Sequence, residues 1–241
     1  MKIKHLLLPV IALAFVTLTS CSKDEEDTTP QKETKTIYLL KNMTTVNEAW
    51  GTFTSEYKYD ADNRLTMAIS TWGTTADTSI YTYNTSGQVS TITNYTMNGT
   101  TETEYQYLDQ TILMTVNGAT LQYTLNTDGK TTRSQDINTS VYTTYTWENG
   151  NCTAKRTYDG STLVNEELIA YNTNVLNPEN DRFLGVHPCV VSANVPSVAA
   201  NGEAIIYTTN TAGFPVTMVM PSIFGNWTSN YTYETKTITL D

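Results

Sequence analysis

The stretch Tyr81-Thr-Tyr83-Asn84-Thr-Ser-Gly87-Gln-Val89 reads as a strand, a tight turn and the start of a return strand. Side chains two apart on a strand share a face, so Tyr81 and Tyr83 stand together on one side and Thr82 on the other. Asn84 opens the turn by bonding to the backbone ahead of it. Gly87, three residues later, accepts the left-handed conformation that closes a type I turn with a G1 bulge. The same spacing recurs in Tyr57-Lys-Tyr59-Asp60-Ala-Asp-Asn63-Arg-Leu65, in Tyr123-Thr-Leu125-Asn126-Thr-Asp-Gly129-Lys-Thr131 and in Tyr207-Thr-Thr209-Asn210-Thr-Ala-Gly213-Phe-Pro215. Weaker copies open at Tyr105-Gln-Tyr107 and Tyr145-Thr-Trp147, without the turn glycine at the matching place, and Tyr231-Thr-Tyr233 repeats the alternation.

The units at 57, 81, 105, 123 and 145 start 18 to 24 residues apart, the period of two strands and two turns. The second turn of each period falls at Trp72-Gly73, Asn98-Gly99, Asn117-Gly118, Asn149-Gly150 and Asp159-Gly160. No long stretch carries the helical 3.6 period. The chain is therefore expected to be all-β, an antiparallel meander of repeated hairpins forming one large twisted or curved sheet over residues 36–241. Closure into a barrel or a sandwich is left open. Residues 161–205 break the rhythm, and within them 172–196, with its X-Pro turns, reads as a long irregular insertion. Such a loop is a usual place for a grafted site. Its apolar residues Phe183, Leu184, Val186, Val190 and Val191 favour a plug over one face or end of the sheet.

The N-terminus reads as an address. Met1-Lys-Ile-Lys4 gives a positive start and Leu6 to Val16 an apolar run too short to span a bilayer, so residues 1–20 form a signal peptide. The run ends in Leu18-Thr19-Ser20-Cys21, which resembles the lipobox of bacterial lipoproteins. The resemblance implies that Cys21 becomes the lipidated N-terminus, a membrane anchor made by several acyl chains where one would hold only marginally. Residues 21–35 then form an acidic tether, opened by Ser22-Lys-Asp24-Glu25-Glu26-Asp27. That run resembles the export signal of Bacteroidetes surface lipoproteins, which implies display on the outer face of the outer membrane; a plain solvated spacer is the alternative.

The Tyr-x-Tyr-Asp/Asn-x-x-Gly-x-Leu/Val unit is similar to the YD repeats of Rhs-type and teneurin-like surface proteins. With the lipobox, the acidic tether, Asn177-Pro178 and the late Gly213-Phe-Pro215 hairpin, the whole resembles a Bacteroidetes surface-lipoprotein domain of unknown function. The resemblance implies an extracellular β meander and brings no activity with it.

Composition narrows the chemistry. Lys and Arg number 14 against 24 Asp and Glu, a net charge of −10, and loss of Lys2 and Lys4 with the signal leaves the chain more acidic still. Nucleic acid is disfavoured as a partner, because the electrostatic term that dominates such binding has the wrong sign. With His187 the only histidine after processing, a histidine-based zinc site or a Ser-His-Asp triad has little to build on, and no metal or cofactor is expected. Cys152 and Cys189 remain as a possible disulfide in an exported chain, with two buried thiols as the alternative, whereas a Cys152–His187 nucleophile lacks any marked oxyanion site. Carboxylate pairs for glycoside hydrolysis could come from Glu102, Glu104, Glu166, Glu167 or Asp181. Acids two apart on an exposed strand more often discourage edge pairing. Asp60, Asp62 and Asn63 resemble a calcium loop but lack its glycine and distal glutamate, so they fit turn chemistry better. Among Trp50, Trp72, Trp147 and Trp227, the expected ligand-stacking pair is Trp72 and Trp227, each beside a turn glycine and expected to be exposed. Tyr81 and Tyr83 are expected to be structural. Together these readings point to a non-enzymatic surface lipoprotein serving as a binding or structural module, with a glycan or a surface protein as partner. The alternative is a glycan-capture protein or glycoside hydrolase of a surface glycan-utilisation system.

Overall fold

The computed structural model describes residues 32–178 and 192–239. Fifteen strands form one antiparallel sheet in the order β12-β11-β10-β9-β8-β7-β6-β5-β4-β3-β2-β1-β17-β16-β15, and two more, β13 and β14, pair separately. In chain order they are β1 (Thr34–Asn47), β2 (Gly51–Tyr59), β3 (Leu65–Trp72), β4 (Thr75–Tyr83), β5 (Val89–Thr96), β6 (Gly99–Leu108), β7 (Thr111–Val116), β8 (Ala119–Leu125) and β9 (Thr131–Asp136). There follow β10 (Val141–Glu148), β11 (Asn151–Asp159), β12 (Thr162–Leu168), β13 (Tyr171–Leu176), β14 (Asn194–Pro196), β15 (Ile206–Thr209), β16 (Pro215–Met220) and β17 (Trp227–Thr239). The expected meander is present. Its sheet is open, with β12 and β15 at its edges, and its long-range closure is the β1–β17 pair, which runs from Thr34↔Thr239 to Asn47↔Trp227.

Because the strands alternate in direction, the turns gather at two ends. We call the end where β1 begins the near end and the opposite one the far end. The four Asp/Asn turns all lie at the near end and are built alike. Asn84 N donates to Gln88 O at 2.8 Å and Gly87 N to Asn84 O at 3.0 Å, and the same pairs recur at 60–64, 126–130 and 210–214. Each opening side chain accepts backbone N–H groups, Arg64 N on Asp60, Gln88 N on Asn84, Lys130 N on Asn126 and Phe214 N on Asn210. The closing residues Asn63, Gly87, Gly129 and Gly213 have φ of 64°, 77°, 71° and 87°, and the register slips by one residue beside each turn, as a G1 bulge requires.

The bulges also locate the core. Leu40, Leu65, Val89, Thr131, Cys152 and Pro215, all beside a register shift, are among the most deeply buried side chains. An aromatic side chain from the next hairpin reaches the carbonyl of five of them. Tyr59 OH donates to Leu40 O, Tyr83 OH to Leu65 O, Trp147 Nε1 to Thr131 O, Tyr171 OH to Cys152 O and Tyr233 OH to Pro215 O, at 2.6 to 2.9 Å. A bulge interrupts the ladder and leaves a buried acceptor, and the aromatic donor satisfies it. Tyr81, Tyr83 and Tyr105 pack on buried Val89 and Ile92. On the other face of β6, Glu102, Glu104 and Gln106 are exposed.

Two details differ from the sequence reading. Asn149-Gly150 is a near-end turn joining β10 to β11, where it replaces the longer Asp/Asn turn, because a two-residue Asn-Gly hairpin needs no bulge glycine; the far-end turn of that period is 137–140. The flanks of the 172–196 insertion are also not irregular, since β13 and β14 pair with each other and bond to the β10–β11 and β15–β16 turns and to the segment after β12. Ala193 N donates to Gly150 O, Ser197 N to Ala170 O and Leu176 N to Gly213 O. Phe183, Leu184, Val186, Val190 and Val191 lie outside the described residues.

Candidate functional site

At the far end, β1, β2, β3 and β17 bring three tryptophans and two phenylalanines together. Phe53 on β2 stands opposite Trp72 on β3, and their rings stack with centroids 5.2 Å apart and planes 19° from parallel. Phe53 also meets Trp227 at 5.5 Å, and Trp50 meets Phe224 edge-on at 6.3 Å. Trp72 Nε1 donates to Trp50 O at 3.0 Å, which fixes the indole against the preceding turn. Trp50 and Trp72 nevertheless stay 47% and 52% exposed and Phe224 58%, which is unusual for rings that could pack inward.

The scaffold under this cluster is Asn47, 1% exposed at the end of β1. Its Oδ1 accepts from Ala49 N and Trp50 N, and its Nδ2 donates to Gly225 O and Asn226 O. One amide thus ties the turn carrying Trp50 to the loop carrying Phe224. Beside the tryptophans a shallow groove of about 380 Å³ is lined by Trp50, Trp72, Thr52, Thr54, Thr71 and the turn glycines. The threonines share a face of the sheet, with Thr54 directly opposite Thr71, and it is the face opposite to the one that carries Phe53 and Trp72.

The tryptophans proposed for stacking are therefore in one cluster, but with different places in it. Trp72 is exposed. Trp227, expected to be exposed as well, is half-buried at the start of β17, where it supports Phe53. Trp50 was legible as a tryptophan three residues after Asn47 and beside Gly51, but its proximity to Trp72 depends on the β2–β3 register. Trp147 lies at the near end, with Lys130 Nζ 5.1 Å from its ring centre.

Among the described carboxylates, Glu166 and Glu167 border a cavity beside β12, but each is held in an ion pair. Glu166 receives Arg156 Nε at 2.6 Å, Glu167 lies 3.4 Å from Lys155 Nζ, and Glu102 and Glu104 stand on an exposed face. Asp181 lies outside the described residues. Asp60 binds Arg64 Nε at 2.8 Å; burial pulls its carboxyl upward, but the hydrogen bonds and charge of Arg64 outweigh this and hold it below the usual value. Asp62 takes Arg64 as well, at 3.1 Å, so an arginine stands where a cation would. Among the described residues no group of three or more His, Cys, Asp or Glu side chains could hold a metal ion. Cys152 is a buried free thiol, and burial pushes it up, opposite to what a nucleophile needs. Cys189 and His187 lie outside the described residues, as does Cys21.

Two larger spaces lie elsewhere. One of about 640 Å³ at the near end is bordered by Tyr38, Phe214, Leu176 and Arg64, whose guanidinium sits 4.8 Å from the centre of the Tyr83 ring. The other, of about 1010 Å³, lies between β12 and the segment around Ser192 to Gly202. No described helix is long and apolar enough to cross a membrane.

No family model matches the chain, and no curated protein matches it. Among solved structures the chain is similar to one described as a porin-like protein from Bacteroides uniformis, at 16% identity and a TM-score of 0.47, over 82% of this chain and 98% of that chain.

Proposed function

We propose that the chain is a non-enzymatic surface lipoprotein, anchored in the outer membrane through lipid on Cys21, whose β domain faces the exterior as a binding module. The observation that carries this reading is the place of the exposed aromatic cluster. Thr34 starts β1 at the near end, and Trp50, Trp72 and Phe224 lie a full strand away, at the end that a tether on Cys21 leaves free. Exposed charges on the sheet, such as Glu56, Lys58, Glu102 and Glu104, support a domain in water rather than strands facing lipid, where an apolar band is needed. The ion pairs of Glu166 and Glu167 and the raised Cys152 thiol support binding over catalysis.

Two measurements test the reading. Cys21→Ser is expected to release the protein from the membrane or leave the signal peptide attached, and a variant still membrane-bound and protease-accessible on intact cells overturns the anchor. The full-length chain, screened against polysaccharide and host-glycoprotein arrays with an assay for released sugars, is expected to bind without release. Sugar release overturns the non-enzymatic reading.

A further inference from the structure

We infer that the free edge of β12 is a binding site of its own, independent of the far-end cluster, and that it takes an extended basic peptide as an added strand. β12 ends the large sheet, and among the described residues only β11 pairs with it. All seven of its residues are exposed, Val164 by 57% and Leu168 by 70%. The pairing with β11 fixes which backbone groups face outward. Ile169 N donates to Thr153 O, one step beyond the Ala154↔Leu168 pair, so 153 and 169 form a hydrogen-bonded pair. Such pairs alternate with non-bonded ones along an antiparallel ladder. Asn165 and Glu167 therefore turn their N–H and C=O groups toward β11, and Glu166 and Leu168 turn theirs away from it.

The cavity of about 1010 Å³ runs along this edge, because every residue from Asn165 to Tyr171 lines it. Successive side chains on a strand point to opposite faces, so a space bordered by all of them in turn lies beside the strand and not over one face. The bordered length is about 20 Å at ~3.3 Å per residue, room for a short strand. Val198, Ala199 and Ala200 form the opposite bank. A slot closed on both sides admits a single strand, whereas the edge of a second copy's sheet would drive its neighbouring strands into that bank. Exposed edges are commonly protected by lysine, proline or short length. β12 has neither residue, and its two charges are drawn back to β11, Glu166 to Arg156 and Glu167 to Lys155. These carboxylates also choose the ligand. Both are partly exposed, Lys155 is the one cation lining the slot with them, and the chain carries a net charge of −10, so a segment bearing lysine or arginine is favoured over an acidic one.

The test uses the full-length chain in detergent and a fluorescent peptide of alternating lysine and valine, matched in length to β12. Its controls are the same peptide with every second backbone nitrogen methylated and a peptide with glutamate in place of lysine. The lysine peptide is expected to bind about tenfold or more tightly than either control, since methylation removes ladder donors and glutamate meets like charge. Leu168→Pro removes an outward N–H and spares those that bond to β11, as proline on an edge strand does. It is expected to weaken binding by about tenfold with little change in melting temperature. Hydrogen exchange reads the same edge without a variant. The amides of Glu166 and Leu168 are expected to exchange rapidly in the free chain and about tenfold or more slowly with the peptide bound. Equal or tighter binding of either control, binding unchanged by Leu168→Pro, or no binding overturns the inference. Slow exchange of these two amides in the free chain also overturns it, as does dimerisation that protects them without peptide. None of these outcomes touches the far-end cluster, whose ligand the glycan and glycoprotein arrays test.

Discussion

At Tyr59, Tyr83 and Tyr233 the tyrosine that ends a Tyr-x-Tyr strand donates a hydrogen bond to the carbonyl of a bulge residue on the preceding strand. Tyr83 OH lies 2.6 Å from Leu65 O, and Leu65 is 1% exposed, so no water can take over the bond. Removing the hydroxyl leaves a buried acceptor unpaired, which costs ~1–3 kcal/mol. Tyr83→Phe is accordingly expected to lower the free energy of unfolding by about 1–2 kcal/mol in a urea titration, with the slope unchanged, whereas Tyr95→Phe, on an exposed ring, changes little. Buried phenols, Tyr83 among them, set the response to alkali. Burial pushes Tyr83 up from 10 to about 12, and Tyr105, Tyr123, Tyr171 and Tyr207 move in the same direction for the same reason. Between the two values the unfolded chain has lost protons that the folded chain still holds, so stability falls as pH rises. The contribution is complete below pH 10 and drains away toward pH 12, and melting temperatures recorded from pH 8 to 12 should decline steeply only above 10. A flat profile there contradicts buried, neutral phenols.

At the scale of the element, the turn chemistry was legible because it is local. An Asp or Asn that follows an alternating strand and precedes Gly or Asn by three residues specifies the hydrogen bonds and the positive φ, and the four turns of the repeated unit all form. The partner of each aromatic was not legible, since Trp147 finds Thr131, and Tyr171 finds Cys152, only after the hairpins stack side by side. The turn residues separate conformational from packing effects. At Gly129, φ is 71° and an added Cβ meets nothing within 4 Å, so Gly129→Ala pays only for backbone strain and is expected to cost ~1–2 kcal/mol. Asn63 is the reverse case. It holds φ at 64°, and its Oδ1 is buried without a hydrogen bond, so Asn63→Gly relieves both burdens and is expected to stabilise by about 0.5–1 kcal/mol. Chemical denaturation of the two variants should move in opposite directions, and a shared direction contradicts this account of the turns.

Across the whole molecule, most strands pair with their neighbours in sequence, and the exception, β1 with β17, could not be read from any repeat. That pair also makes the far-end cluster, because it places Trp227 against Phe53 from opposite ends of the chain, while Asn47 binds the 225–226 backbone at a separation no local motif reveals. Trp72 was identifiable from its turn; its groove partner Trp50 and its support through Phe53 were not. The topology in turn separates the tryptophans along the strand axis. Trp147 sits at the near end and Trp50, Trp72 and Trp227 at the far end, a span on the order of 25 Å for strands of 8 residues such as β3 and β10. Lipid at Cys21 should hold the near end toward the bilayer. In liposomes whose headgroups carry a fluorescence quencher, a variant of the lipidated protein retaining only Trp147 is therefore expected to be quenched several times more than one retaining only Trp72. Equal quenching would mean that the domain lies on its side, and stronger quenching of Trp72 would mean that the aromatic end faces the membrane. Either result would remove the geometric argument for an outward-facing binding site, whereas the expected order would place the far-end aromatic cluster away from the bilayer, where a ligand outside the cell can reach it.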